Sequence, residues 1–197
     1  VIDYTTYGSL DDANTYFQNK LHNYAWVNAS PTQQQAALLA ATRTIDSLAF
    51  KGYKASTWAL LSTYNPIPTL DMVTTNIQPA VQIGPDIAIQ LPTPAQVYAA
   101  EAAQVHEFPR GTDTAVPDDI VRACYEIAYS LLDGKDPEIE LENLGVESHG
   151  YSSVRTSYSR THVPVEHIVN LVPSAIAWRI LRPFLRDDQA VKLSRVS

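Results

Sequence analysis

Six of the chain's 13 prolines (Pro66, Pro68, Pro79, Pro85, Pro92 and Pro94) fall in one stretch of the sequence. Proline lacks an amide donor and clashes with the preceding turn, so a run this dense admits neither a long helix nor a central strand. Residues 53–107 are therefore expected to form turns and short extended pieces such as Val81–Ile83 and Ile87–Leu91. A short helix is expected at about 95–104, with Pro94 near its first turn. The core must then come from the flanking stretches. Residues 1–52 and 104–186 are assigned to it, 53–103 to a Pro-rich insertion and 187–197 to a C-terminal tail.

Both flanks carry helical periodicity. Over 9–28, Ala13, Phe17, Leu21 and Tyr24 share one face, Ser9 is placed to cap, and Asp11 and Asp12 suit the positive end of the helix dipole. Leu38, Ala41, Ile45 and Leu48 make a second stripe over about 32–50, capped by Ser30 or Thr32 and stopped by Gly52. Pro117 opens a strong helix to about Leu132, striped by Ile120, Cys124, Ile127 and Leu131. A short acidic helix is expected at 137–144, where Glu138, Glu140 and Glu142 read as a solvated face. Residues 146–160 read as a strand or hairpin. A last helix over about 173–186 turns Ile176, Ile180, Leu181 and Leu185 inward and Arg179, Arg182 and Arg186 outward, with Pro183 kinking or shortening it. The expected fold is mainly α: a bundle of about four to five helices with a small β-hairpin, the long insertion and an extended tail.

Charge is unevenly spread. Through residue 150 there are 7 basic and 18 acidic residues; from 151 on there are 7 and 3. The acidic bulk argues against a general nucleic-acid binder, which must displace counterions from phosphate with cations. The basic end marks an interaction surface. No stretch is long and apolar enough to read as a transmembrane helix, and the N-terminus does not read as a signal peptide.

The catalytic signatures are missing. Gly145-x-x-x-x-Gly150 is followed by Tyr151 and is not a phosphate loop. Asp118 and Asp119 are adjacent on a helix and cannot face each other across a substrate, so their dipole role explains them. His162, Glu166 and His167 are the nearest metal candidates, but the histidines are five apart and separated by Pro164. Cys124 lies on an apolar helix face and reads as a core residue. The Trp and Tyr residues are not interleaved with cations and read as core and interface aromatics. No cofactor and no catalytic or metal-binding residue is expected.

One ordered set of motifs remains. Tyr16-Phe17 and Trp26 come first, then Ala37-Leu38-x-x-Ala41-Thr42-x-x-Ile45-Asp46 and Phe50-x-Gly52. Phe108-Pro109-Arg110, Val116-Pro117-x-x-Ile120-x-x-Ala123 and Glu126-x-Ala128 follow. The chain ends on a polar hairpin and Leu181-Arg182-Pro183-Phe184-Leu185. This order resembles phage proteins labelled DnaT-like, which are similar to the head–tail connector (adaptor) proteins of tailed bacteriophages. The resemblance covers roughly 1–52 and 104–186; this chain departs from it in the 55 residues between Gly52 and Phe108, where the family has a short loop.

The resemblance implies a structural virion protein and no enzyme. Its copies would form a dodecameric ring joining the portal protein to tail, nozzle or stopper proteins. DNA would leave through the lumen without specific binding, and no membrane would be involved. The ring would sit in the neck of the virion after assembly in the host cytoplasm. Contact with the portal or a neighbouring subunit would fall to Arg155, Tyr158, Arg160, Arg179, Arg182, Arg186, Lys192 and Arg195. Phe108 would anchor the returning chain, Pro109 would hold it extended, and Arg110 would pair with a carboxylate such as Asp46 or cap a helix end. The alternative is a phage single-stranded nucleic-acid-binding protein using Arg155, Arg160, Arg179, Arg182 and Arg186 with Tyr151 and Tyr158. An enzyme built on His162, Glu166 and His167, or on Cys124, is the remaining competitor.

Overall fold

The computed structural model describes residues 5–64, 92–144, 148–151, 154–157 and 166–186. The expected strands Val81–Ile83 and Ile87–Leu91 and the tail 187–197 lie outside the described residues. The fold is mainly α. The chain divides into two compact units, Val1–Lys51 with Val116–Ser197, and Gly52–Ala115. The division falls at 115/116 and not at 103/104, so Phe108-Pro109-Arg110 belongs to the second unit and not to the first.

The first unit is built on α3 (Pro31–Asp46) and α6 (Asp118–Leu132). Pro31 occupies the first turn of α3, where its missing amide costs nothing, and Ser30 and Gln33 cap each other reciprocally. The two helices pack together through Ala37, Leu38, Ala41, Thr42 and Ile45 on one side and Ile120, Ala123, Cys124 and Ile127 on the other. Alanine at the contact lets the backbones approach. Leu38, Ile45, Ile120 and Ile127 are wholly buried, each stabilising the fold by roughly 1.5–3 kcal/mol.

The first expected helix is two. α1 (Leu10–Gln18) is capped by Ser9, whose hydroxyl accepts from the Asp12 amide at 3.1 Å. It stops at Asn19, and α2 (Tyr24–Val27) follows a turn in which His22 takes a left-handed φ of 58°. The Asn23 side-chain amide donates to the Phe17 carbonyl at 2.7 Å and closes the break. Ala13 and Phe17 are buried as the stripe requires, and Trp26 stacks on Phe17 at 4.4 Å. Leu21 and Tyr24, expected inward, are 85% and 71% exposed, because the turn carries them off the buried face.

After α6 come α7 (Pro137–Leu144) and two short strands, β1 (Ser148–Tyr151) and β2 (Val154–Ser157), paired antiparallel with Gly150 opposite Arg155. α8 (Glu166–Val169) and α9 (Ala175–Leu181) complete the unit. α9 packs on α6 through Ala177 and Leu181. The last helix is shorter than expected. Pro183 forces a 3-10 turn over Arg182–Phe184, and Leu185 then bridges Phe50 in extended conformation. The Lys51 amide donates to the Phe184 carbonyl and the Arg186 amide to the Ala49 carbonyl, both at 2.9 Å.

The second unit contains α4 (Ala55–Tyr64) and α5 (Pro94–Ala103), packed on each other. α4 corrects the expectation of turns directly after residue 53. Its ten residues contain no proline and precede the first proline of the dense run, Pro66, so the proline argument does not reach them. Thr93 and Gln96 form a capping box at α5.

Candidate assembly surfaces

Arg179 and Arg182 are exposed at the end of α9 and in the 3-10 turn, and Arg186 is exposed beyond the Leu185 bridge. The expected single helical row of three arginines is therefore not formed: the helix ends at Leu181, and Arg186 sits on extended chain. Among the described residues none of the three meets a carboxylate at ion-pair distance. Ile176, expected inward, is 58% exposed on the same stretch as Val169 and Leu171. Arg155 lies on β2. Tyr158, Arg160, Lys192 and Arg195 lie outside the described residues, as does His162.

Phe108 is buried, and the peptide bond joining it to Pro109 is cis, in place of the plain extended segment expected there. The Pro109 carbonyl accepts from the Ala55 amide at 3.0 Å and from the Gln104 side-chain amide at 2.8 Å. Arg110 bridges to Lys54 through the backbone, and its guanidinium donates to the Gly52 carbonyl at 2.6 Å and to the Glu107 carboxylate. Lys54 reaches the other Glu107 oxygen at 3.3 Å. Within its unit, then, Arg110 ties the returning chain to the Gly52–Lys54 segment. Within that unit its carboxylate partner is Glu107, which sequence reasoning misses; in the first unit Asp46 accepts from the Tyr7 hydroxyl.

Glu126, quoted only as part of a motif, is a buried carboxylate at the centre of α6. Lys20 Nζ lies 2.6 Å from its Oε2, and the Tyr16 hydroxyl donates to its Oε1 at 2.6 Å. Burial, and then the Glu126 carboxylate, push the Tyr16 hydroxyl up to about 12. Lys20 Nζ also stands 4.5 Å from the centre of the Tyr129 ring. Burial pushes Tyr125 up to about 12, and among the described residues its hydroxyl has no hydrogen-bond partner. A side chain at Gly8 would meet the Tyr125 hydroxyl oxygen at 2.4 Å and its ring carbons at 2.5 and 2.7 Å. These residues line an open groove of about 1120 Å³ between residues 5–9, α1 and α6. Its charges are mixed, with Asp12, Asp118 and Glu126 against Lys20 and Arg122.

Cys124 is wholly buried, 3.6 Å from the Thr42 hydroxyl, and burial pushes its thiol up to about 11. A thiol so held stays protonated near neutrality and inert. Among the described residues no group of three His, Cys, Asp or Glu side chains is placed to hold a metal ion, and no helix is long and apolar enough to cross a membrane. On α7 and on the α8–α9 stretch, exposed apolar side chains lie beside charges. The sequence pattern misses these because the apolar residues sit on short elements whose ends, not whose periodicity, decide exposure. No family model, no curated protein and no solved structure matches the chain.

Proposed function

We propose that the chain is the head–tail adaptor of a tailed bacteriophage, a subunit whose copies form a ring joining the portal protein to the tail around the DNA exit channel. The observation that carries this reading is the order of the motifs. Phe17, Trp26, Leu38, Ala41, Ile45, Ile120, Ala123 and Ala128 are all buried in one unit, so the resemblance rests on residues that build a core. The Tyr16 motif residue is tied to the Glu126 motif residue by a hydrogen bond. The finer architecture belongs to the proposal: a bundle of four to five helices, a hairpin around Arg155 reaching a neighbour, and a polar, partly basic tail that docks. An acidic lumen would let DNA slide.

The test is binding to the portal protein of the same phage. Purified chain should cosediment with portal rings and should ignore single-stranded oligonucleotides at physiological salt. Portals that sediment alone, with oligonucleotide binding that weakens steeply with salt, would overturn the adaptor reading in favour of the nucleic-acid one.

A further inference from the structure

The outer face of α9 joins positive charge to apolar carbon. Ala175, Ile176, Arg179, Arg182 and Pro183 are all exposed. Spacings of three and four about Arg179 bring them to one side of α9 and of the 3-10 turn that continues it. Ala177 and Leu181 are buried on the side turned to α6. Ile176 is 58% exposed. Among the described residues neither arginine lies at ion-pair distance from a carboxylate. α8 brings one carboxylate, Glu166, which accepts from the Trp178 indole at 3.4 Å.

Guanidinium groups set beside apolar carbons are the composition of a protein-docking surface, where arginine is enriched and most other charges are depleted. The fork of a guanidinium matches a carboxylate through two parallel hydrogen bonds. Nucleic acid fits the face less well. Single strands are held by exposed aromatic rings set among the cations, and the ring that α9 carries, Trp178, is half-buried and bonded to Glu166. We infer that this face docks an acidic protein surface in which carboxylates flank an apolar hollow. Ile176 enters the hollow, and Arg179 and Arg182 each take a carboxylate. The partner's identity rests on the adaptor reading: it is the portal protein, and α9 adds which face meets it and what chemistry the portal presents there. The charges steer encounter and set register, while Ile176 supplies the apolar contact that holds.

Cosedimentation of the full chain with portal rings of the same phage, over a range of chain and salt concentrations, tests this. Arg179→Glu with Arg182→Glu should weaken binding about tenfold or more and remove most of its salt dependence. Ile176→Ser should weaken it about fivefold and leave the salt dependence unchanged. Arg43→Glu with Lys135→Glu makes the same change of net charge at exposed positions elsewhere in the first unit, and should leave binding within about twofold of wild type. All five residues are exposed, so circular dichroism should show every variant folded. An arginine double variant that binds as the wild type does, an Ile176→Ser chain of unchanged affinity, or an equal loss in the Arg43 and Lys135 control would each overturn the inference and leave the adaptor reading standing. A wild type that ignores portals would overturn that reading and this inference with it. Oligonucleotide binding by such a chain, lost in the arginine double variant, would give the face to nucleic acid instead.

Discussion

Lys20→Met should destabilise the first unit by about 2 kcal/mol. The Lys20 ammonium lies 2.6 Å from a Glu126 carboxylate whose side chain is 5% exposed. Two unit charges near 4 Å attract by about 4 kcal/mol at the effective dielectric of such a site, and desolvation offsets most of that in the intact pair. Removing one partner leaves the other's desolvation uncompensated, which for a fully buried pair costs about 3–5 kcal/mol. Lys20 is 23% exposed, so water reaches the vacated place and the cost falls to about 2 kcal/mol. Methionine keeps the stem's packing on Phe17 and Tyr129, so the loss is electrostatic. Adding Glu126→Gln should recover all but about 1 kcal/mol, because the amide oxygen still accepts from Tyr16 and no charge remains buried. Urea unfolding followed by tryptophan fluorescence reads both, with a midpoint about 1 M lower in the single variant. A Lys20→Met midpoint equal to wild type, or a double variant no better than the single, would refute the reasoning.

Tyr125→Phe should stabilise the fold by about 1 kcal/mol in the same assay, because it removes a buried hydroxyl that has no partner among the described residues; a loss of stability would contradict this. Gly8→Ala should cost about 1–3 kcal/mol by overpacking against the Tyr125 ring. Combining it with Tyr125→Phe should not rescue it, since ring carbons stand at 2.5 and 2.7 Å from the added methyl. Native Cys124 should resist thiol reagents at pH 8 and react only after unfolding; rapid labelling of the folded chain would contradict its burial. Tyr16 and Tyr125 are raised from 10.0 and Cys124 from 9.0. The unfolded chain loses these protons first, so unfolding becomes easier as pH rises. Their contribution is fully present below pH 9.0 and should be lost as pH climbs to about 12; a flat stability profile across that window would contradict it.

The long helices are legible because their signals are local and repeated. Ser30, Pro31 and Gln33 start α3, and Leu38, Ala41 and Ile45 face one way through two turns. The departures are decided by single residues at ends. Nothing in the apolar spacing of 13, 17, 21 and 24 foretells that His22 turns left-handed and throws Leu21 outward. Pro183 reads as a kink or an early stop, and it does stop α9, yet the arginine spacing alone draws the row through it to Arg186. α4 is lost by extending a proline argument over residues that hold no proline. The surfaces are hardest, because the exposure of Ile139, Leu141 and Ile176 depends on which neighbours cover each short element, and hydrophobic pattern assigns such residues to the core by default.

The central claim is that this chain docks on a portal as a ring, and electron microscopy of portal particles incubated with the purified chain tests it most directly. A continuous added ring beneath the portal, coaxial with its channel and resolving into repeated helical subunits, is the expected result. Bare portals at saturating concentrations of a folded chain would contradict it.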